Sequence, residues 1–205
     1  MKLHWSPRSP FVRKVMVVAH ETGMAGRLDC QRTVAATTKP NAELMIDNPL
    51  SKLPTLVLDD GTPLYDSPVI CEYLDTLHAG PKLFPADSRA RMIALRRQAL
   101  GDGMLDFLVL WRAELMRPDE HRSAAHLESF AVRRNSVLAS IESEVPELDA
   151  SDYSIGHIAL GCALSYLDFR FNDFDWRKNH SRAAAWHETF ASRPAVVATE
   201  PVDDS

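Results

Sequence analysis

Cysteine is scarce in this sequence, and its three cysteines, Cys30, Cys71 and Cys162, are far apart. No Cys-x-x-Cys pair occurs, and no cysteine or histidine cluster has the spacing of zinc ligands, which argues against a dithiol redox motif and a zinc site. A sparse, odd number of cysteines is typical of proteins from a reducing compartment. We therefore expect a cytoplasmic protein without a metal ion.

Long apolar runs are also absent. No stretch reaches the roughly 18 apolar residues of a membrane-spanning helix, and residues 1–7 lack the apolar core of a signal peptide. Basic residues are not in excess, because the formal net charge is −5, whereas nucleic-acid-binding surfaces are usually basic. No Gly-x-Ser-x-Gly motif of the serine hydrolases is present. We expect neither a membrane nor a nucleic acid as a partner.

The composition is that of a globular protein, with 45% hydrophobic and 25% charged residues in a chain of 205, which is long enough for two domains. Residues 1–78 alternate short apolar strands and helices in the order βαβαββα, and residues 79–86 form a linker. Residues 87–205 carry only helical patterns. The sequence therefore predicts an α/β domain followed by an all-helical bundle domain.

Prolines divide the helical part of the sequence. We expect helices over residues 87–116, 120–145, 154–171 and 179–191. Proline removes a backbone donor and clashes with the preceding helical turn, so Pro118, Pro146 and Pro194 are expected to lie beyond helix ends.

Ser9 is the first candidate for a chemical role, since it follows the first predicted strand and precedes a helix. The free N–H groups and partial positive charge of a helix N-terminus stabilise a thiolate, and a serine hydroxyl there donates a hydrogen bond to sulfur. The alternative is that Ser9 only caps the helix.

Pro54 is the second candidate, because it directly precedes an apolar strand. If the Leu53–Pro54 peptide bond is cis, the backbone N–H and C=O of Leu53 face a peptide-like ligand. Only about 5–6% of such bonds are cis, and a trans bond would make Pro54 an ordinary strand start.

The third candidate is the segment Asp66-Ser67-Pro68. Ser67 is expected to cap a helix, with Pro68 in its first position. The N-terminus of that helix suits a carboxylate and Asp66 suits an amino group, so the pair would fit the α-carboxylate and α-amine of an amino acid. The alternative is a helix start without a ligand.

Together, these three segments resemble the N-terminal domain of glutathione transferases. The matching residues are 9–15 (SPFVRKV), 48–54 (NPLSKLP) and 66–74 (DSPVICEYL). The resemblance implies a thioredoxin-like fold for residues 1–78 and a helical domain after it, so it covers nearly the whole chain. It also implies glutathione as a co-substrate.

The resemblance assigns roles to individual residues. Ser9 is implied to be the catalytic residue beside the glutathione sulfur, and Pro54 to be the cis-proline of the family. Leu53 would bind the cysteinyl part of glutathione through its backbone, and Asp66 with Ser67 would hold the γ-glutamyl end. The implied glutathione-binding residues are Lys52, Leu53, Pro54, Asp66 and Ser67. For Lys52, a solvated surface position is the alternative to contact with the glycine carboxylate.

The sequence departs from the family pattern at two positions. Relatives with thiol-redox chemistry carry cysteine where this chain has Ser9, and serine cannot form a mixed disulfide, which argues against glutaredoxin-like activity. The family usually places an acidic residue three positions after the residue that caps a buried helix, whereas here His157 follows Ser154. With Gly156 between them, we expect a cap weaker by about 1 kcal/mol.

A transferase also needs an apolar pocket beside the sulfur, which the resemblance assigns to the loop after the first strand and to the first helix of the helical domain. The predicted pocket residues are Trp5, Arg8, Met104, Phe107, Leu108 and Trp111, with Arg8 at the entrance. The last four share one helical face. Ordinary packing between the domains is the alternative role for that face.

We therefore predict a glutathione transferase that conjugates the glutathione thiolate to a small hydrophobic electrophile. A homodimer is expected by resemblance to the family. The sequence leaves two alternatives open. One is a non-catalytic binding or interaction protein with the glutathione transferase fold, and the other is a glutathione-dependent isomerase or dehalogenase.

Overall fold

Short extended segments in the first part of the chain pair into one mixed sheet in a computed structural model, which describes residues 1–36 and 38–204. The strands are β1 (Lys2–Trp5), β2 (Asp29–Arg32), β3 (Thr55–Val57) and β4 (Pro63–Leu64), in the order β2-β1-β3-β4. β1 is parallel to β2 and antiparallel to β3, and β3 is antiparallel to β4. This sheet confirms the thioredoxin-like domain predicted from the sequence.

Three helices accompany the strands: α1 (Pro10–Glu21), the single turn α2 (Leu44–Asp47) and α3 (Ser67–Thr76). Apolar residues recur in α1 and α3 at three- and four-residue spacing, which gives each helix an apolar face. The two helices pack against each other, and Val15, Val18, Ile70 and Leu74 are fully buried. The starts of α1 and α3 and the loop before β3 carry the residues predicted to act on glutathione.

Residues 79–86, predicted as a linker, are held against α3 by Asp75. Its carboxylate accepts hydrogen bonds from the backbone N–H of Leu83 at 2.9 Å and of Phe84 at 3.1 Å. The side chains of Leu83 and Phe84 are both buried. The segment therefore belongs to the packed structure of the first part of the chain.

The chain divides into a first unit, Met1–Asp87 with Pro194–Ser205, and a second unit, Ser88–Arg193. The predicted helical domain extended to residue 205, whereas the structure groups residues 194–204 with the first unit. The short helix α8 (Pro194–Val197) explains this difference. Its Ala195 and Val196 are buried, and the backbone O of Val196 accepts a hydrogen bond from Arg13 of α1 at 3.4 Å.

The second unit consists of α4 (Ser88–Leu115), α5 (Ala124–Asp149), α6 (Ile155–Arg170) and α7 (Ser181–Ala191), joined by short loops and 3-10 turns. α6 is the central helix, because all residues from Ile155 to Leu167 are buried. In the described part of the chain, no helix combines the length and the apolar character needed to cross a membrane.

α4 and α6 approach each other closely where each carries a glycine. A Cβ atom on Gly101 would lie 2.5 Å from the carbonyl carbon of Ala159, and one on Gly156 would lie 2.8 Å from Cβ of Arg97. Both distances are shorter than van der Waals contact. Gly156, which the sequence marked only as a weakness of the cap, is therefore required by helix packing.

Pro146 does not end α5, contrary to the prediction, since the helix continues to Asp149. A proline inside a helix removes one backbone hydrogen bond. Here Val145 and Leu148 are 6% and 1% exposed, so burial of the last turn offsets that loss.

The sequence predicted a weak α6 cap because the acidic acceptor is missing, and this reason is wrong: His157 provides the acceptor instead. The strength of the cap stays a prediction. His157 Nδ1 accepts a hydrogen bond from the backbone N–H of Ser154 at 3.1 Å. Its Nδ1 is therefore unprotonated, and the proton on Nε2 is donated to the backbone O of Leu148 at 3.1 Å. Burial lowers the pKa of this histidine from its usual value, which stabilises the neutral ring that the cap requires.

Candidate active site

Ser9 lies where the chain leaves β1 and enters α1. Its Oγ accepts a hydrogen bond from the backbone N–H of Val12 at 3.3 Å, so Ser9 is the N-cap of α1. No described residue accepts a hydrogen bond from its hydroxyl. Because a hydroxyl accepts and donates at once, capping leaves the Ser9 O–H available for a ligand. The two roles considered for Ser9 are therefore compatible.

The start of α1 also keeps one backbone donor in reserve. Pro10 has no N–H, Val12 donates to Ser9 Oγ, and Arg13 donates to the backbone O of Ser9 at 2.9 Å. The N–H of Phe11 has no acceptor among the described residues. With the partial positive charge of the helix N-terminus, this donor suits an anion bound next to Ser9.

The loop before β3 is shaped by a buried Asn48–Thr55 pair. Asn48 Nδ2 donates to Thr55 Oγ1 at 2.9 Å and to the backbone O of Lys52 at 3.2 Å, which also accepts from Thr55 Oγ1 at 3.0 Å. Asn48 and Thr55 are 1% and 0% exposed. The two side chains therefore fix the backbone that leads into residues 53 and 54.

Leu53 follows this fixed segment, and the Leu53–Pro54 peptide bond is cis, as the resemblance implies. Neither the N–H nor the C=O of Leu53 has a hydrogen-bond partner among the described residues. Both groups are therefore available to a ligand with a peptide backbone. The neighbouring Lys52 is exposed, and its ammonium group makes no hydrogen bond within the described chain.

Asp66, rather than Ser67, holds the N-cap position of α3, which corrects the predicted start of this helix by one residue. Ser67 is the first helical residue and is 2% exposed. Pro68 follows it in the second position, and the Tyr65–Asp66 peptide bond is cis. The Asp66 carboxylate makes no hydrogen bond to any described residue. It remains available to a cationic group at the start of α3.

Comparison with known proteins is consistent with this geometry. Residues 8–77 match the family model described as the N-terminal domain of glutathione S-transferase. The chain is 30% identical to the Uncharacterized GST-like protein YibF of Escherichia coli (strain K12) over 98% of each chain. This chain belongs to the glutathione transferase family.

Two crystal structures of a glutathione transferase family member from Pseudomonas fluorescens Pf-5 are similar to this chain. One has bound glutathione; it is 44% identical with a TM-score of 0.95 and covers 98% of this chain and 99% of its own. The other has bound S-(propanoic acid)-glutathione; it is 42% identical with a TM-score of 0.90 at the same coverage. These values confirm the fold of the family for the chain as a whole.

The predicted pocket residues of this glutathione transferase family member fall into two groups. Trp5 ends β1, and Arg8 follows in the loop that leads to Ser9. The other four lie on α4 in the second unit and are buried: Met104, Phe107, Leu108 and Trp111.

The α4 aromatics are packed within the second unit. The Phe107 and Trp111 rings stack on Phe130 of α5, with centroids 6.5 and 5.9 Å away, and Trp111 also contacts Phe171 at 5.2 Å. Core packing therefore accounts for part of this face. A role of the four residues in electrophile binding stays a prediction.

A Ser/His/Asp cluster in the second unit does not have the hydrogen-bond directions of a hydrolase site. Ser165 Oγ lies 2.9 Å from His187 Nε2, and Asp168 makes a bidentate ion pair with Arg177 at 2.6 Å. Arg177 Nη2 lies 3.3 Å from His187 Nδ1. Because guanidinium only donates, that nitrogen accepts, and the proton on Nε2 points at Ser165. The histidine cannot then serve as a base for the serine.

Asn48 and Thr55 are positioning residues that the sequence analysis did not single out. Their signal in the sequence was weak, because Asn48 stood within the family motif without a role and Thr55 read as the first residue of an apolar strand. A polar pair spaced seven residues apart on either side of a proline-containing loop is the pattern that could have indicated them.

Proposed function

We propose that this chain is a glutathione transferase that binds glutathione along the backbone at Leu53 and aims its sulfur at Ser9. The observation that carries this proposal is the Ser9 hydroxyl, whose hydrogen no described residue accepts. It lies at the N-terminus of α1, where the backbone N–H of Phe11 is a second unused donor. Both groups favour the thiolate over the thiol.

The tripeptide is held by groups of complementary chemistry. The N–H and C=O of Leu53 pair with the cysteinyl residue, as strands pair in a sheet. The Asp66 carboxylate takes the α-ammonium of the γ-glutamyl end, and the first turn of α3 at Ser67 takes its carboxylate. Lys52 is exposed and has no partner in the described chain, so it is free to meet the glycine carboxylate.

The reaction is an attack by the thiolate sulfur on an electrophilic carbon. The thiol proton passes to solvent and a carbon–sulfur bond forms. At the carbon, either a leaving group departs with its electron pair or an adjacent carbon takes a proton from solvent. The protein contributes orientation and stabilisation of the sulfur anion, with no covalent enzyme intermediate. The apolar residues of α4 remain the predicted surface for the electrophile.

The glutathione complex of the Pseudomonas fluorescens relative supports glutathione as the ligand. Its S-(propanoic acid)-glutathione complex supports the presence of space for a substituent on the sulfur. Calorimetry with glutathione, followed by conjugation assays with haloarenes and activated alkenes, tests the proposal. Binding with turnover supports a transferase. Binding without turnover of any electrophile would favour the non-catalytic binding protein, and absence of binding would contradict both.

A cytoplasmic homodimer completes the proposal. No disulfide joins Cys30, Cys71 or Cys162 in the described residues, which is typical of proteins from a reducing compartment. Apolar side chains on the first unit are exposed, including Ile46 at 84% and Leu50 at 60%, and a second copy of the chain would cover them. Analytical ultracentrifugation should give twice the chain mass, and Ile46→Glu should shift the protein toward the monomer.

A further inference from the structure

Arg8 and Arg32 meet at one carboxylate group, that of Asp204, and Arg8 Nη1 also lies 3.8 Å from a carboxylate oxygen of Asp203. Arg8 Nε lies 3.0 Å from Oδ1 of Asp204, and Arg32 Nε lies 2.7 Å from Oδ2 of the same residue. Each oxygen of the carboxylate therefore meets a different guanidinium group. Arginine presents several donors in one plane, which suits it to carboxylate recognition of this kind.

The two arginines lie at the same edge of the sheet as Ser9. Arg32 is the last residue of β2 and is in register with Trp5, the last residue of β1. Because β1 and β2 are parallel, both strands end at one edge, and the chain runs from Trp5 through a short loop to Ser9. Arg8 is the residue directly before Ser9. The pair is therefore anchored at the end of the sheet where the glutathione sulfur is proposed to lie.

The present occupant of the pair is weakly held. Asp204 lies beyond α8 in a segment without regular structure. The side chains of Arg8, Arg32 and Asp204 are 30%, 35% and 31% exposed. Ion pairs as exposed as these contribute little to stability, so replacing the Asp204 carboxylate by another one costs little. The hydrogen bond from Arg32, and then the charges of both arginines, lower the pKa of Asp204, so the pair favours an ionised carboxylate.

We propose that Arg8 and Arg32 bind a carboxylate carried by the electrophile, and that Asp204 occupies this position when no such electrophile is present. The inference rests on the proposed function, because the sulfur of glutathione defines where the electrophile must be. It narrows the predicted hydrophobic electrophile to one that also carries an acid group close to its reacting carbon. Asp204 then acts as an internal competitor for the same two guanidinium groups.

Two glutathione conjugates that differ in one group test this site. S-carboxymethylglutathione carries the acid on sulfur, and S-carbamoylmethylglutathione carries the uncharged amide of the same shape. Calorimetry on the full chain should show about fivefold tighter binding of the acid, as expected for an exposed ion pair. Arg8→Gln and Arg32→Gln should each reduce this preference, while Asp204→Asn should strengthen binding of the acid alone by about threefold.

Arg27→Gln is the matched control, because Arg27 is an exposed arginine of the first unit outside this pair, and it should leave the preference unchanged. Equal affinity of the wild-type protein for both conjugates would overturn the inference and leave the proposed function intact. Equal weakening of both conjugates by Arg8→Gln would also overturn it, because the pair would then bind glutathione itself. If glutathione and both conjugates fail to bind, the proposed function fails as well.

Discussion

The helices α1 and α6 are both capped by a serine, but they differ in whether the hydrogen-bonding groups at their N-termini are used within the chain. Ser9 begins α1 with its hydroxyl hydrogen unused by the described chain and with a spare backbone donor at Phe11. Ser154 begins α6 at 3% exposure, and His157 accepts from its N–H while the Ser154 Oγ lies 3.0 Å from the same ring nitrogen. The α6 start is therefore closed by its own side chains, and the α1 start is open.

This contrast shows what distinguishes a site from a structural cap. A serine at a helix N-terminus is common and carries no information about function by itself. What matters is the residue three positions later. At α6 it is His157, whose ring reaches back to the cap, whereas at α1 it is Val12, which has no acceptor to offer. The open start keeps its donors for a ligand, and the closed start uses them for stability.

The largest expected effect is on turnover, when the open start loses its hydroxyl. Ser9→Ala should lower kcat/KM for glutathione conjugation by about 10–100-fold, because a hydrogen bond to a charged group contributes roughly 1.5–3 kcal/mol. Ser9→Thr keeps the hydroxyl and should retain most of the activity. Initial rates at saturating and at limiting glutathione concentrations give kcat/KM for both variants.

Ser123→Ala is the matched control for Ser9→Ala. Ser123 caps α5 by accepting from the N–H of His126 at 3.3 Å, the same length as the bond from Val12 to Ser9. Both alanine variants should lose about 1 kcal/mol of unfolding free energy. If Ser123→Ala reduced kcat/KM as much as Ser9→Ala, the effect at Ser9 would be one of stability alone.

A thiol in place of the Ser9 hydroxyl would report the electrostatics of the open start directly. Ser9→Cys should have a thiol pKa at least about one unit below the ordinary 8.5, because a helix N-terminus stabilises a thiolate. Cys30 provides the contrast, since burial and then the charge of Asp29 raise its pKa. The ultraviolet absorbance of the thiolate against pH, measured in a Cys30→Ser background, gives the value. A pKa at or above 8.5 would contradict the assigned role of the helix.

Much of this contrast was predictable from the sequence, because it depends on local patterns. The βαβαββα order and the start of α1 after Ser9 followed from apolar spacing and from Ser-Pro punctuation. The family resemblance added the cis bond at Pro54 that base rates opposed. Helix starts and turn chemistry are short-range, and the sequence carries them.

Long-range packing was what the sequence did not carry. Pro146 was expected to end a helix that burial of Val145 and Leu148 continues. Gly156 was counted as a cost, whereas the backbone of α4 needs the space. Asp204, which Arg8 and Arg32 both contact, is 172 residues away from Arg32 in the sequence. None of these contacts leaves a periodic signal.

Opening the closed start should destabilise the fold. His157→Ala removes the acceptor of the Ser154 N–H and the donor to the Leu148 backbone O. Burying these two groups without partners is expected to cost roughly 2 kcal/mol. His157→Asn keeps an acceptor near the position of Nδ1 and should recover about half of the loss. Urea denaturation followed by circular dichroism measures all three proteins, and an unchanged midpoint for His157→Ala would contradict the assigned cap.

The smallest expected effect is the dependence of the unfolding free energy on pH that His157 causes at the start of α6. Burial lowers the pKa of His157 in the folded chain below its ordinary value near 6.5. Between the folded and unfolded pKa values, the unfolded chain therefore binds more protons than the folded one. The contribution of His157 to stability is then complete above about pH 6.5 and decreases as the pH falls below that value, with a slope of at most about 1.4 kcal/mol per pH unit.

His157→Asn, which does not titrate, should remove this slope from urea unfolding measured between about pH 5 and pH 7, while substitution of the exposed His20 by Gln should preserve it. An equal slope in the wild-type and His157→Asn proteins would show that the ring accepts a proton without loss of the cap, and the α6 start would then be less closed than its hydrogen bonds indicate.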